Sequence, residues 1–163
     1  MRTAAPPPRP RRASVVALVA SVAVASLLGG CSGSPLEENA DLNGCIEGDR
    51  GTIALGVTNS AGEPLEVTGI EIADAQGVEV LDRFVALDED ARATPARFDE
   101  GGRDAFDGVD LDAEAIAPDG AAFVGIEVER TSAAEGRVGG VVITTAGRET
   151  TAPVTLVLLD ACG

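Results

Sequence analysis

Three cysteines and a run of aspartates are the residues of this sequence best equipped for chemistry. Cys31, Cys45 and Cys162 supply thiols, which can be acylated, oxidised in pairs or bound to metal. Residues 104–114 (DAFDGVDLDAE) gather Asp104, Asp107, Asp110 and Asp112 around a glycine, an oxygen-rich arrangement of the kind that suits Ca²⁺. Their spacing departs from the D-x-D-x-D-G-x₅-E calcium loop, so a solvated acidic loop is preferred to a metal site. The absences weigh more. The chain has no His, Lys, Trp or Tyr, and its single Met is the first residue. His-based triads and Ser–Lys dyads are thereby excluded, as are zinc and copper sites of the usual kind. Among 27 acidic residues some carboxylate pair falls close by chance, so proximity alone does not argue for glycoside hydrolysis. The expectation is a non-enzymatic protein with no catalytic residues and no bound cofactor.

Each cysteine draws its meaning from its surroundings. Residues 1–12 (MRTAAPPPRPRR) are basic and broken by proline, and residues 13–28 (ASVVALVASVAVASLL) are apolar and uncharged. A charged start, a short apolar run and small residues before a cut are the marks of an export signal, here residues 1–30. The apolar run is short for a membrane span of roughly 20 residues. Leu28-Gly29-Gly30-Cys31 resembles the lipobox of bacterial lipoproteins: an aliphatic residue, two small residues and a cysteine. The resemblance implies cleavage between Gly30 and Cys31, with diacylglycerol and a fatty acid carried on Cys31. It further implies attachment to the cell membrane at its extracytoplasmic face, with the lipid bilayer as a partner. Two acyl signals anchor stably where one is marginal. Residues 31–44 are then the lipidated Cys and a flexible tether, and a stretch of that size spans on the order of 20 Å.

With Cys31 acylated, Cys45 and Cys162 remain, one near each end of residues 45–163. Outside the cytoplasm such a pair forms a disulfide. The rival reading, a redox or metal pair, lacks both a C-x-x-C spacing and a histidine.

The charge is uneven. All 12 basic residues are Arg, four of them in the leader, so residues 31–163 carry 8 Arg against 27 acids, a net charge of −19. Such a surface repels nucleic acid and offers no polybasic patch for anionic lipid. The abundance of Ala, Gly, Arg and Val over Lys, Asn and Tyr fits a GC-rich, actinobacterial source.

The elements that must hold these groups are strands. In residues 51–59 (GTIALGVTN), Ile53, Leu55 and Val57 alternate with small or polar residues, the period of a half-buried strand. Residues 65–73 continue after an N-S-A-G-E-P turn, and Gly69 between Val67 and Ile70 predicts a bulge. Residues 78–87 and 123–130 follow the same pattern, the latter with Val124, Ile126 and Val128 on one face. Residues 137–145 and 151–160 predict a hairpin around Ala146-Gly147-Arg148. The expectation is an all-β antiparallel sandwich of about six to seven strands over residues 45–163, with the signal-peptide helix before it. A strand, N-x-x-G-x-P and a second strand are similar to the small immunoglobulin-like domains of bacterial envelope lipoproteins.

Residues 88–120 break the rhythm, and loops of this length are often functional. The expectation is a crossing from one sheet to the other, with a short edge strand near residues 96–98. Arg83, Arg92, Arg97 and Arg103 surround this loop and are read as balancing its acids. Two functions follow. The first is a cell-envelope module that contacts another, unknown envelope protein through a sheet edge or loop 88–120. The alternative is a lipoprotein that binds Ca²⁺ or a small ligand through that acidic loop.

Overall fold

In a computed structural model of the chain, residues 36–37, 42–132 and 134–163 are described. The expected signal peptide, the lipobox and the greater part of the tether lie outside them. The alternating runs form the strands they predict. They are β3 (Arg50–Asn59), β4 (Val67–Ala73), β5 (Val78–Leu87) and β7 (Ala121–Arg130). The last two runs divide into β8 (Gly136–Val138) and β9 (Gly140–Thr145), then β10 (Arg148–Ala152) and β11 (Val154–Leu159). Three shorter strands complete the set: β1 (Leu36–Glu37), β2 (Leu42–Glu47) and β6 (Ala96–Asp99).

One sheet runs β1-β3-β7-β5, with β6 also on the outer edge of β3. The remaining strands form the ladders β10-β9-β4 and β2-β11-β8. These two ladders share the legs of one long hairpin. Each leg is interrupted once, at Gly139 and at Pro153, and a proline inside a strand belongs at such an irregularity. The hairpin turns at Ala146 and Gly147, both at positive φ (45° and 75°). That is the backbone a tight two-residue hairpin turn requires. Taken in chain order, this places the first, second, fourth and fifth strands of an immunoglobulin-type sandwich in one sheet and the rest in the two three-stranded sheets that face it. The short β2 adds itself parallel to β11. The all-β antiparallel sandwich is therefore what the chain folds into. The strand count rises to eleven because the hairpin legs are split and the edges carry short strands. The expected bulge also stands, as a register shift between Val67 and Gly69.

The main core lies between the sheets. Ile53, Leu55, Val124 and Ile126 from one sheet meet Ile70, Ile143, Leu156 and Leu158 from the other, and all are buried. Burying side chains of this size stabilises by about 1.5–3 kcal/mol each.

Loop 88–120 differs from expectation. It leaves from β5 and returns to β7, and these strands are paired neighbours in the same sheet, so it does not cross between sheets. It folds over that sheet's outer face instead. Its 3₁₀ turns, Glu89–Arg92 and Arg103–Phe106, bring Ala91 and Phe106 onto Ala54, Phe84, Ala86, Ala121 and Phe123 to form a second core. Phe106 stacks 5.5 Å from Phe84 and 5.8 Å from Phe123 between ring centroids. Gly125 makes room for this, since a Cβ there would lie 2.1 Å from Phe84 Cζ. The expected edge strand is present as β6, paired with β3 at residues 52–55.

The tether is also shorter than expected. Leu42–Gly44 belong to β2, and Leu36–Glu37 pair with the end of β3. Main-chain pairing sets these positions, in a stretch whose polar composition gives no strand period.

Candidate functional site

The cysteines sit where the topology brings the chain ends together. β2 runs beside β11, with Cys45 opposite Val157, and the chain leaves β11 toward Cys162. Cys45 and Cys162 are joined by a disulfide, with their Cα atoms 6.0 Å apart. The Cys162 amide donates to Glu47 Oε1 at 3.2 Å, which fixes the tail after the last strand. An open cleft of about 550 Å³ lies against this bridge, lined by Ile46, Glu47, Phe98, Asp99 and Glu100 with the two cysteines. Three carboxylates on its rim and one aromatic side chain give it the chemistry of a shallow acidic recess.

The calcium candidates are not drawn to a point. Asp104, Asp107, Asp110 and Asp112 are all exposed. Among the described residues no group of three or more acidic or Cys side chains is arranged to hold a metal ion. Asp104 lies in the first turn of the second 3₁₀ segment, and Asp107 closes it in the left-handed conformation. Asp110 is taken by Arg103, whose Nη1 lies 2.5 Å from its carboxylate.

Arg103 organises this region. It binds Asp82 on β5 through Nε at 2.7 Å and Nη2 at 2.6 Å, and it also donates to the Arg83 carbonyl at 3.0 Å. The hydrogen bonds from Arg103 hold the Asp82 carboxyl below the usual carboxylate range, against the opposing effect of its partial burial. The same bonds raise the Arg103 guanidinium. A two-pronged Arg–carboxylate pair fixes geometry as well as charge. The other arginines near the loop divide their roles. Arg97 lies 3.4 Å from Asp99 and covers the Phe106 ring at 4.6 Å. Arg92 pairs with Glu89 and donates to the Asp119 carbonyl. Arg83 departs from the expected role and donates to the Ile70 carbonyl at 2.6 Å, tying β5 to β4.

Two features escaped sequence reasoning. Asn59, read only as a turn residue, is fully buried and donates to the carbonyls of Glu63, Ile116 and Ala117 at 2.9, 2.9 and 3.2 Å. Its Oδ1 accepts from the Ala61 amide at 2.9 Å. It thereby ties the β3–β4 turn to the end of loop 88–120. The second is a row on the covered face, where pairing aligns Asp99, Thr52, Glu127 and Asp82 across β6, β3, β7 and β5. Hydrophobic periodicity carries no signal for either, because both depend on register between distant strands.

Exposed apolar surface is concentrated on β5, where Leu81 and Leu87 are 39% and 44% accessible. β5 is an edge strand, and Val85 in it is bridged by Val109 from the loop. Edges covered in this way are protected from unwanted strand addition, while Leu81 stands at the bulge before Asp82.

No protein-family model and no curated protein matches this chain. A solved structure, the secreted serine protease VesC from Vibrio cholerae, is similar over 78% of this chain and 24% of its own, at 12% identity and a TM-score of 0.40. The chain thus spans about a quarter of that protein's length.

Proposed function

We propose that the chain is an exported bacterial lipoprotein, held to the outer face of the cell membrane by lipid on Cys31. Its sandwich acts as a non-enzymatic interaction module of the envelope. The observation that carries this reading is the Cys45–Cys162 disulfide, because such bridges persist in oxidising compartments outside the cytoplasm. It agrees with the export signal and lipobox upstream of the domain. The chemistry at hand supports binding over catalysis. The Asp82 carboxyl on β5 is pushed down by Arg103, whereas a general acid needs to be pushed up. The surfaces offered to a partner are the exposed stretch of β5 at Leu81 and the acidic recess beside the disulfide.

Fatty-acid labelling of cells expressing the chain, with mass analysis of the mature protein, tests the anchor. Label on the parent and none on Cys31→Ser is expected, and an unlabelled parent would overturn the anchor. Photo-cross-linking in cells from Leu81, Glu47 and Glu100 tests the module. One dominant protein partner from one of these positions is expected, and none from any position would count against it. Amine-reactive reagents are unsuited, since the chain has no Lys.

A further inference from the structure

The topology gathers the turns between the long strands at two ends of the sandwich. The last residue of β3, Asn59, leads into the turn at residues 60–64, and Asn59 binds residues 116 and 117 beside it. β7 begins and β5 finishes at this end, since Thr58 pairs with Ala121 and Ala122 with Leu87. The hairpin tip at Ala146 and Gly147 is there too, because Thr145 pairs with Val67 at the start of β4. The opposite end carries the 48–49, 74–77 and 131–135 connections and the disulfide tail. It is tied together by Arg130, which pairs with Asp49 at 2.5 Å and Asp160 at 2.6 Å. The Gly48 amide bonds the Leu159 carbonyl there at 2.8 Å.

β1 decides which end the lipid reaches. Leu36 pairs with Asn59 and Glu37 with Thr58, antiparallel, so the chain before Leu36 departs beyond the Asn59 end. Five residue steps separate Cys31 from Leu36, a reach of at most about 18 Å. β3 has 10 residues. At about 3.3 Å per residue that strand measures roughly 30 Å. A bilayer-bound Cys31 therefore cannot let the domain stand on its Arg130 end while β1 stays paired, because the tether is shorter than the strand it would have to pass.

On the reading that Cys31 is lipidated, we propose that the domain stands on the bilayer by its Asn59 end. The turn at residues 60–64 and the hairpin tip face the lipid. The Arg130 end, with the disulfide and its acidic recess, is the surface presented to envelope partners. The net negative charge of the domain opposes its lying flat on anionic head groups.

The test uses the full chain, matured and acylated in cells, purified and reconstituted into phosphatidylcholine–phosphatidylglycerol vesicles with a nitroxide on the lipid head group. A fluorescent amino acid is placed at exposed Glu63 or at exposed Glu135. Several-fold stronger quenching at Glu63 than at Glu135 is expected. Equal quenching, or stronger quenching at Glu135, overturns the proposal. Replacing Leu36 and Glu37 by Pro removes both β1 donors and lengthens the free tether to Leu42, so the difference between the two sites should shrink. A difference that survives this change would show that β1 does not set the orientation. Protein that fails to float with the vesicles would instead refute the lipid anchor itself, so the two failures are distinguishable.

Discussion

Removing the disulfide with Cys45→Ser and Cys162→Ser is the perturbation whose magnitude the structure defines best. The bridge closes a loop of 117 residues. In the chain-entropy model a loop of that size contributes about 5 kcal/mol, and measured values more commonly fall near 2–4 kcal/mol. The native state should change little. β2 keeps its six register pairs with β11, and Ile46 stays in the core. The cost should therefore appear as global stability, with somewhat more surface exposed by the unbridged unfolded chain. For a domain of this size about 3 kcal/mol corresponds to a fall in Tm of roughly 12 °C. The assay is urea unfolding of residues 32–163, followed by circular dichroism, with hydrogen exchange on both forms. A lower midpoint with a slope no shallower than the parent's is the expected outcome. An unchanged midpoint, with faster exchange confined to Leu42–Glu47, would refute the reasoning. It would mean that the bridge merely pins one edge strand.

Three further outcomes test the cover, the ion-pair hub and the buried amide. Phe106→Ala removes the ring between Phe84 and Phe123 and the seat of Arg97, and should cost about 2–4 kcal/mol in urea unfolding. A change near zero would mean that the cover contributes little to the fold. Asn59→Ala removes the side-chain donor to the Glu63, Ile116 and Ala117 carbonyls, the last two of which keep the Leu65 and Gly120 amides, and should cost about 1–3 kcal/mol, with faster exchange at residues 116–120. Arg103→Gln should flatten the acid limb of the stability profile. The Asp82 carboxyl is depressed in the folded state, so its contribution is complete above its ordinary value of 3.8 and disappears as pH falls through the depressed one. Parallel acid titrations of parent and variant that superimpose would exclude Arg103 as the cause.

Inward-facing positions were legible in the sequence because their periodicity has a single physical cause. Ile53, Leu55 and Val57 alternate because one face of β3 meets the other sheet, and all three are buried. The opposite face was the harder part. Ala54 on β3 and Gly125 on β7 alternate with the inward residues and carry no apolar signal of their own, yet with Phe84 and Phe123 they lie under the loop. A signal was present in residue type. That face carries small residues and phenylalanine where a solvated face would carry charge, and small side chains leave the space a cover needs. Asn59 was visible as a turn residue, but its acceptors lie 57 and 58 residues away, a separation that no local pattern encodes.

The acidic run illustrates why composition misleads about a site. Read along the chain, Asp104, Asp107, Asp110 and Asp112 suggest shared ligation. Their placement follows from what Phe106 and Arg103 must do. Phe106 has to reach the second core, so the 3₁₀ turn that carries it points the neighbouring aspartates to solvent. Arg103 has to bridge Asp82 and Asp110 to hold that turn against β5, which removes one carboxylate from any shared centre. The aspartates are thus the solvated back of a packed segment.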